Sequence, residues 1–346
     1  MDEIATGSES GFTDNEGNEV KPPSGNTGAE ISCLGRSIRL DYLAATLLGE
    51  PVSDALETVE GLFGKITSRD MGWHGYSNSG GVLAGFGVVA WHYERPDMGV
   101  HIDLSAKGLA EIPRLVNGDI LGLLCYLKDR GFKYTRVDLA FDDVDGALDL
   151  GVIWEALHAG DVACRWKRTN FKRIHGVTKA AGETIFLGSR KSNVVVRIYD
   201  KAAEQGIEDH HWIRVEIELK DKRAGAMVDK LLEDGPTAAL AVLRSCLEFK
   251  EAGTEGNITR RKPAVWWVAF LDGIEKSRLS LPPETRSLEK VRKWLFRQVA
   301  PSVALVSRAE GGGVDWLYAL LKEGDERLKP DQLALISEQQ EEVNMQ

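Results

Sequence analysis

Three segments of this chain alternate apolar and charged residues with a period of two, and this pattern restricts the possible folds most strongly. The segments are Arg136 to Asp143, Val194 to Asp200 and Trp212 to Lys220. Because successive side chains of a strand point to opposite faces, each segment has one apolar face and one charged face. Such strands are typical of an antiparallel sheet with helices on one side. The sequence therefore predicts an α+β fold with an open, charged sheet face.

The composition indicates a globular protein that is not inserted in a membrane. The chain has 346 residues, and 43% of them are hydrophobic, which is enough for a sizeable core. No apolar run approaches the roughly 20 residues of a membrane helix, and the acidic N-terminus does not resemble a signal peptide. We therefore expect a cytoplasmic protein with no membrane partner. The four cysteines contain no CxxC pair and predict neither a zinc ribbon nor a disulfide framework.

Local composition divides the chain into four predicted segments. Residues 1–30 contain almost no large apolar side chains and are predicted to be a disordered acidic tail. Residues 31–255 carry the strand patterns and are predicted to form the main domain. Residues 256–336 begin with a Trp-rich, basic stretch and are predicted to form a small helical C-terminal domain. Residues 337–346 are predicted to be a frayed tail.

The main domain shows signs of an internal duplication. Each half contains a strand, a helix, further antiparallel strands and a closing helix. Each half also opens on a similar tripeptide, Arg39-Leu40-Asp41 or Arg136-Val137-Asp138. We therefore predict a largely antiparallel sheet, built from two pseudo-repeated strand-helix-strand halves, with helices on one face.

The charged faces of the predicted strands contain residues suited to phosphoryl transfer. A cluster of carboxylates repels itself unless a cation or a bound proton compensates, and Mg²⁺ and Mn²⁺ prefer oxygen ligands. A tyrosine hydroxyl beside such a cation and arginines could attack a phosphate. An ordinary solvated face with cross-strand ion pairs is the alternative. The side chains on this face are His101, Asp103, Arg136, Asp138, Asp142, Arg197, Tyr199, Arg214, Glu216, Glu218 and Lys220.

A basic block precedes the tyrosine, although the whole chain has a net charge of -10. Between Cys164 and Lys201 the ten Lys and Arg residues outnumber the two Asp and Glu residues, so the segment carries +8. Trp166 and Phe171 lie within it, and aromatic rings among basic residues suit contact with nucleic acid. A solvated basic loop is the alternative. The predicted DNA-binding residues are Arg165, Lys167, Arg168, Lys172, Arg173, Arg190 and Lys191.

Six segments in combination resemble a known family. The chain is similar to the replication initiation factors of filamentous phages and rolling-circle plasmids, the trans-type Rep proteins. The resemblance extends over about residues 37–250, and the motif around Tyr199 is its most specific part. The matching segments are Asp41 to Leu43, His101 to Ser105, Arg136 to Asp142, Thr184 to Ser192, Arg197 to Lys201 and Trp212 to Glu216.

The resemblance implies that the protein nicks one strand of origin DNA. Tyr199 would become joined to the 5′ phosphate and leave a 3′ hydroxyl as primer, while Arg197 and Lys201 would contact the phosphate. The chain lacks the histidine-hydrophobic-histidine motif by which other relaxases hold their metal. Mg²⁺ or Mn²⁺ would instead be held among carboxylates, and the candidates are Asp138, Glu216, Glu218, Asp142 and Asp103.

Two other functions fit the same residues. A metal-dependent nuclease could hydrolyse DNA with carboxylates such as Asp138 and no covalent step, in which case Tyr199 would be dispensable. A non-catalytic DNA-binding regulator could use the basic block alone and would need no metal. Origin DNA is the expected partner of an initiator, with a host helicase and a second copy of the chain as further candidates.

Overall fold

The chain is organised as two compact units, residues 1–281 and residues 282–346. The computed structural model describes residues 12–13, 19–20, 28–31, 38–115, 120–167, 170–175, 182–189, 191–207, 210–271, 288, 291–292, 295–328 and 336. The predicted tail 337–346 and most of the predicted tail 1–30 lie outside these residues.

The first unit contains the strands and eight helices of the described part of the chain. The strands are β1 (Phe12–Thr13), β2 (Glu19–Val20), β3 (Ala29–Glu30), β4 (Ile38–Leu47), β5 (Thr67–Arg69), β6 (Asn78–Val82), β7 (Gly87–Trp91), β8 (Val100–Leu104), β9 (Phe132–Asp143), β10 (Val162–Cys164), β11 (Phe171–His175), β12 (Glu183–Leu187), β13 (Val194–Asp200), β14 (Ile213–Lys220) and β15 (Leu247–Phe249). The helices are α1 (Val52–Phe63), α2 (Ala106–Leu115), α3 (Ile120–Asp129), α4 (Leu150–Ala159), α5 (Lys201–Gln205), α6 (Lys222–Asp234), α7 (Thr237–Cys246) and α8 (Val265–Phe270).

The second unit is helical in its described residues. A π-helical turn, Leu295–Val299, leads into α9 (Ala300–Ala309), and α10 (Asp315–Asp325) follows. No helix in the described part of either unit is long and apolar enough to cross a membrane.

An antiparallel sheet of eleven strands dominates the first unit. Its order is β11-β12-β13-β14-β9-β4-β8-β7-β6-β5, with β3 paired to β4. The order is the same on both sides of the central β9–β4 pair: the first strand of each half is central, its last strand lies beside it, and the strands between follow outward in reverse sequence order. This arrangement confirms the predicted α+β fold and is the one expected of two pseudo-repeated halves.

The apolar strand faces form the core beneath the helices. Val137, Leu139 and Phe141 of β9 are at most 2% exposed, and the apolar residues of β13 and β14 continue this layer. Helices α3 and α6 pack on β9, while α4 packs on β12 and β13. Burial of each such side chain contributes about 1.5–3 kcal/mol, and a one-residue slip would expose the whole set. The alternation therefore leaves the charged face open.

One boundary differs from the predicted division of the chain. After α7 ends at Cys246, the next residues form β15, which pairs with β10. The Trp-rich segment also lies in the first unit, although residues 256–336 were expected to form a separate domain. The reason is packing, because the Phe249 ring contacts Trp266 and Trp267 at centroid distances of 4.8 and 5.1 Å.

Candidate active site

Tyr199 lies on the charged face of β13, where its hydroxyl donates to a carboxylate. In the antiparallel register Tyr199 is opposite Arg214 and Arg197 is opposite Glu216. The Tyr199 hydroxyl donates to Oε1 of Glu216 at 2.5 Å. Burial, followed by the charge of Glu216, raises the pKa of Tyr199 far above its ordinary value. The hydroxyl is therefore protonated at neutral pH, and Glu216 is placed to accept its proton.

Arg197 joins the carboxylates nearest to this hydroxyl. Its Nη2 lies 2.7 Å from Oε2 of Glu216 and 3.2 Å from Oδ2 of Asp138. The Nε of Arg197 is buried and has no hydrogen-bond partner among the described residues. A buried donor of this kind is costly unless something satisfies it. Arg197 therefore offers a charged donor beside the tyrosine, as expected for a residue that contacts phosphate.

Asp138 lies in the next row of the sheet and is held by Arg136. The Nε and Nη2 of Arg136 donate to its two carboxylate oxygens at 2.8 and 2.6 Å. Asp138 is only 1% exposed, and burial raises its pKa to about 6 in spite of the hydrogen bonds from Arg136. Glu218 pairs with Arg136 at 2.9 Å and with Lys220 at 2.5 Å. Both carboxylates are thus engaged on both oxygens, Asp138 by Arg136 and Glu218 by Arg136 and Lys220.

Arg214 is fully buried beneath the site, where its guanidinium is hydrogen-bonded on three nitrogens. Its Nε and Nη2 donate to the two oxygens of Asp142 at 2.7 and 2.8 Å, and its Nη1 donates to Asp41 at 3.0 Å. The indole of Trp212 also donates to Asp142 at 2.8 Å. These contacts occupy both carboxylate oxygens of Asp142, so this predicted metal ligand serves instead to position Arg214 next to Tyr199.

Asp41 is a member of the site that the sequence did not identify as a candidate. The β4–β9 register shifts between Leu40 and Tyr42, so Asp41 is the extra residue of a β-bulge and turns toward the charged face. Burial and the charge of Glu216 raise the pKa of Asp41 to about 7. The matching tripeptide that ends at Asp138 and the family resemblance of Asp41 to Leu43 were the sequence signals for this residue.

Four of these side chains, Asp41, Arg197, Tyr199 and Glu216, border a cleft of about 530 Å³, which we call the tyrosine cleft. Lys201, the first residue of α5, lines it and is 1% exposed. Its ammonium pairs with Glu204 and lies 5.7 Å from the Tyr199 ring centre. The structure therefore brings Tyr199, Arg197 and Lys201 together, as the sequence predicted. The lining residues are Asp41, Glu183, Thr184, Phe186, Arg197, Tyr199, Asp200, Lys201, Ala203, Glu204 and Glu216.

The donors around the tyrosine cleft suit a hard divalent cation chemically. Asp41, Asp138 and Glu216 supply oxygen atoms, and burial raises the pKa values of both aspartic acids, so a bound cation would favour their ionised forms. Across the described residues, however, no three acidic, histidine or cysteine side chains are already arranged to hold a metal. Arg197 bridges Asp138 and Glu216, and Arg136 holds both oxygens of Asp138, so both arginine side chains would have to move for the two carboxylates to bind one ion.

The predicted basic block is split between the two sheet faces. Lys172 of β11 is opposite Phe186 of β12, which is opposite Arg197, so Lys172 lies on the charged face in line with the site. Arg173 lies on the other face, where it pairs with Glu183 and covers the Trp154 ring at 5.6 Å. Arg165, Lys167 and Lys191 are exposed. Arg168 and Arg190 lie outside the described residues.

Asp103, the remaining carboxylate candidate, does not line the tyrosine cleft. It lies on β8 in the first half of the sheet and accepts a hydrogen bond from Tyr42 at 2.9 Å. Its surroundings form a separate cleft.

Comparison with known proteins agrees with the motifs and the fold. A putative DNA relaxase, NicK of Bacillus subtilis (strain 168), is 25% identical over 290 residues, which cover 78% of this chain and 81% of that protein. The structure of a rolling circle replication initiator protein from Geobacillus stearothermophilus is similar in fold. Its TM-score is 0.61 at 23% identity, and the match covers 71% of this chain and 99% of that chain.

The sequence profile of the replication initiation factors matches residues 132–321. This match covers more than half of the chain and includes β9, β13 and β14. It confirms the resemblance seen in the motifs and extends beyond residue 250 into the second unit. The chain therefore belongs to the replication initiation factor family.

Proposed function

We propose that this protein is a rolling-circle replication initiator that nicks one strand of origin DNA with Tyr199. The observation that carries the proposal is the hydrogen bond from Tyr199 to Glu216, beside Arg197, in an open cleft on the charged sheet face. A nucleophile with an adjacent base and nearby cations is the arrangement that phosphoryl transfer requires. The names of the relatives, a relaxase and a rolling circle initiator, support this assignment.

The residues suggest a transfer step in which one phosphodiester bond replaces another. The Tyr199 oxygen bonds to phosphorus while its proton passes to Oε1 of Glu216. The bond from phosphorus to the 3′ oxygen breaks, and that oxygen keeps the electron pair and takes a proton from water. Arg197 and Lys201 stabilise the negative charge on the phosphate oxygens. One phosphodiester is exchanged for another, so the reverse step can rejoin a strand without an added energy source.

We further propose that Mg²⁺ or Mn²⁺ binds at Asp41, Asp138 and Glu216. The ion would supply Lewis-acid stabilisation of the phosphate oxygens. Among these acids, Asp41 and Asp138 have pKa values raised by burial, so a bound cation would offset the cost of ionising them there. Release of Arg197 from the carboxylates would at the same time direct its guanidinium to the phosphate.

The DNA substrate would lie along the charged sheet face, with Lys172 beyond Arg197 on the same row. The sequence has no G-x-x-x-x-G-K-[ST] phosphate-binding loop, so a separate helicase would unwind the duplex past the nick. We therefore propose a host helicase as a partner. We also propose a second copy of the chain as a partner.

Trapping the covalent product tests the function. Wild-type protein is incubated with supercoiled phage or plasmid DNA and Mg²⁺ or Mn²⁺, denatured, and examined for a protein–DNA adduct at the 5′ end of the nick. We expect an adduct from wild type and none from Tyr199→Phe. Tyr126→Phe is the matched control, since Tyr126 is exposed on α3 away from the cleft.

The same assay distinguishes the alternatives. Nicking by Tyr199→Phe, or nicking by wild type without an adduct, would identify a hydrolytic nuclease. Binding of DNA without any nicking would identify a non-catalytic regulator.

A further inference from the structure

The first half of the sheet contains a second cleft, of about 510 Å³, on the same charged face. We call it the histidine cleft. Its centre is the buried carboxylate of Asp103, which accepts hydrogen bonds from Tyr42 at 2.9 Å and from the indole of Trp73. Burial opposes ionisation of Asp103, but the donors around it outweigh burial and lower its pKa. The lining residues are Tyr42, Ala44, Thr46, His74, Tyr76, His101, Asp103, Thr135, Arg136, Lys220 and Asp221.

The histidine cleft occupies the position in the first half that the tyrosine cleft occupies in the second. Glu216 of β14 has Ala140 of β9 on one side and Arg197 of β13 on the other. In the first half, Asp103 of β8 has Ala44 of β4 on one side and a β7 residue on the other. The two carboxylates therefore hold equivalent places in the duplicated sheet.

The equivalent positions for catalysis are apolar in the first half. Val88 is opposite Asp103, in the place that Arg197 takes opposite Glu216. Ala90 occupies the place of Tyr199. This half thus keeps the carboxylate and the open face but has neither the nucleophile nor its arginine, so it can bind a strand without cutting it.

A tight turn, residues 72–77, places aromatic rings over the histidine cleft. The backbones of Trp73 and Tyr76 exchange two hydrogen bonds, of 3.1 and 2.8 Å. A side chain at Gly72 would bring a Cβ within 2.3 Å of the Tyr76 carbonyl oxygen. His74 has a φ of 48°, in the left-handed region that non-glycine residues rarely adopt. The turn therefore has one defined conformation, which is strained at His74 and lies above the sheet.

The rings of this turn leave one aromatic surface open. Tyr76 stacks on His101 at a centroid distance of 5.8 Å and an angle of 14°, and His74 lies edge-on to His101 at 6.1 Å. The His74 side chain is 63% exposed. Arg136 lines the opposite wall. Exposed rings beside a basic side chain are the elements with which proteins bind single-stranded nucleic acid.

A metal ion is the competing occupant, because Nε2 of His74 and Nε2 of His101 each lie 3.4 Å from Oδ2 of Asp103. That oxygen already accepts from the Trp73 indole. Within the parts of the chain that the structure describes, no group of three such side chains is arranged to hold a metal. The geometry therefore favours an aromatic ligand.

We propose that the histidine cleft binds an unpaired base of the DNA strand that is cut in the tyrosine cleft, with His74 as the exposed stacking ring. The proposal rests on the proposed function, from which it takes DNA as the ligand.

The two clefts are joined by a continuous charged face. Tyr42 is opposite Asp138, and in the next row Arg136 is opposite Ala44, which is opposite Asp103. β8 is four strands from β13, a separation of about 19 Å across the sheet at ~4.8 Å per strand. At ~3.4 Å per nucleotide of a stacked strand, this distance corresponds to about six nucleotides, which falls within the ~4–16 nucleotides that single-strand-binding surfaces cover. The base in question would thus lie a few nucleotides from the nick.

Binding of two defined oligonucleotides tests the proposal. The probes are fluorescein-labelled (dT)20 and an abasic 20-mer with the same phosphates, measured by anisotropy with the full chain in a Tyr199→Phe background and in EDTA. The test variant is His74→Asn, because asparagine tolerates the left-handed φ while removing the ring. The matched control is His158→Asn, an exposed histidine on α4.

We expect His74→Asn to weaken (dT)20 binding roughly 5- to 150-fold, the range for loss of one base–aromatic stack, and to leave abasic binding unchanged. Equal losses for both probes, or no loss for either, would overturn the proposal. An effect seen only when Zn²⁺ or Mn²⁺ replaces EDTA would assign the cleft to a cation and also overturn it. The Tyr199 adduct assay reports separately, so a missing adduct refutes the nicking function without changing the binding result.

Discussion

Tyr199 cannot ionise by itself near neutral pH, because burial and the charge of Glu216 both favour its protonated form. The proton must therefore leave as the oxygen attacks, and Oε1 of Glu216, at 2.5 Å, is the atom in position to take it. In the proposed mechanism, the same pair of residues keeps the hydroxyl protonated at rest and removes its proton during the attack.

We predict that Glu216→Gln slows adduct formation by roughly 10²- to 10⁴-fold, the usual contribution of a general base. The amide keeps the size of the side chain and can still accept from Tyr199, but it cannot take the proton. Single-turnover rates of adduct formation provide the measurement. Glu218→Gln is the comparison variant, since Glu218 pairs with Arg136 and Lys220 instead of the tyrosine. Equal losses for the two variants would contradict a specific role for Glu216 as the base.

Asp41 should make stability depend on pH. The pKa of Asp41 is about 7 in the folded protein, against the ordinary value of 3.8 in the unfolded chain, so between these pH values the folded chain keeps a proton that the unfolded chain releases. Stability from this group is fully present below pH ~4 and is lost as the pH rises toward 7. The loss between pH 5 and pH 8 is about 2–3 kcal/mol.

We predict that Asp41→Asn removes this loss, so that its free energy of unfolding falls less than that of wild type between pH 5 and pH 8. Urea denaturation in EDTA at the two pH values gives both quantities. The asparagine oxygen can still accept a hydrogen bond from Arg214, so the contact of residue 41 with this buried arginine is retained. Parallel pH dependences for the two proteins would show that Asp41 does not titrate in this range.

At the scale of elements, β11 is where the basic block meets the site. Lys172 projects from the charged face, in line with Arg197, whereas Arg173 projects from the opposite face and pairs with Glu183. Adjacent residues of one strand should therefore contribute unequally to DNA binding.

We predict that Lys172→Ala weakens binding to single-stranded DNA of any sequence and reduces the slope of log K against log salt by about 0.7 to 1, as expected for loss of one phosphate contact. Arg173→Gln should leave the slope unchanged. A salt titration of anisotropy with wild type and both variants makes the comparison. A reduced slope for Arg173→Gln alone would place the DNA on the other face.

Strand alternation was sufficient to place Tyr199, Arg197, Glu216 and Asp138 on one open face, because the side-chain period of a strand is local and strict. It could not assign the partners of each carboxylate, since these depend on the register between strands distant in sequence. Asp41 was missed because a β-bulge breaks the alternation at that residue.

Helix α2 and the turn over the histidine cleft were also not predicted. The strained turn is held by tertiary contacts such as the hydrogen bond from Tyr76 to the Met98 carbonyl, which no local pattern reveals. At this turn, tertiary contacts determine the backbone conformation more strongly than local sequence propensity does.

At the scale of the whole molecule, chemistry and family membership cover different parts of the chain. The side chains of both clefts lie in residues 1–281, yet the family profile extends to residue 321, within the second unit. The second unit is therefore expected to serve a step other than strand cutting. We propose that this step is the choice of origin.

We predict that a chain ending at residue 281 still forms the Tyr199 adduct on single-stranded DNA at the wild-type rate, because each proposed catalytic contact lies within the first unit. Preference for its own origin over unrelated supercoiled DNA should fall. Circular dichroism and thermal unfolding establish that the shortened chain is folded, and adduct yield on the two DNA forms gives the comparison. A folded chain that forms no adduct would show that the second unit supplies a catalytic group. In that case the arrangement of Tyr199, Glu216 and Arg197 would be necessary for cutting but not sufficient.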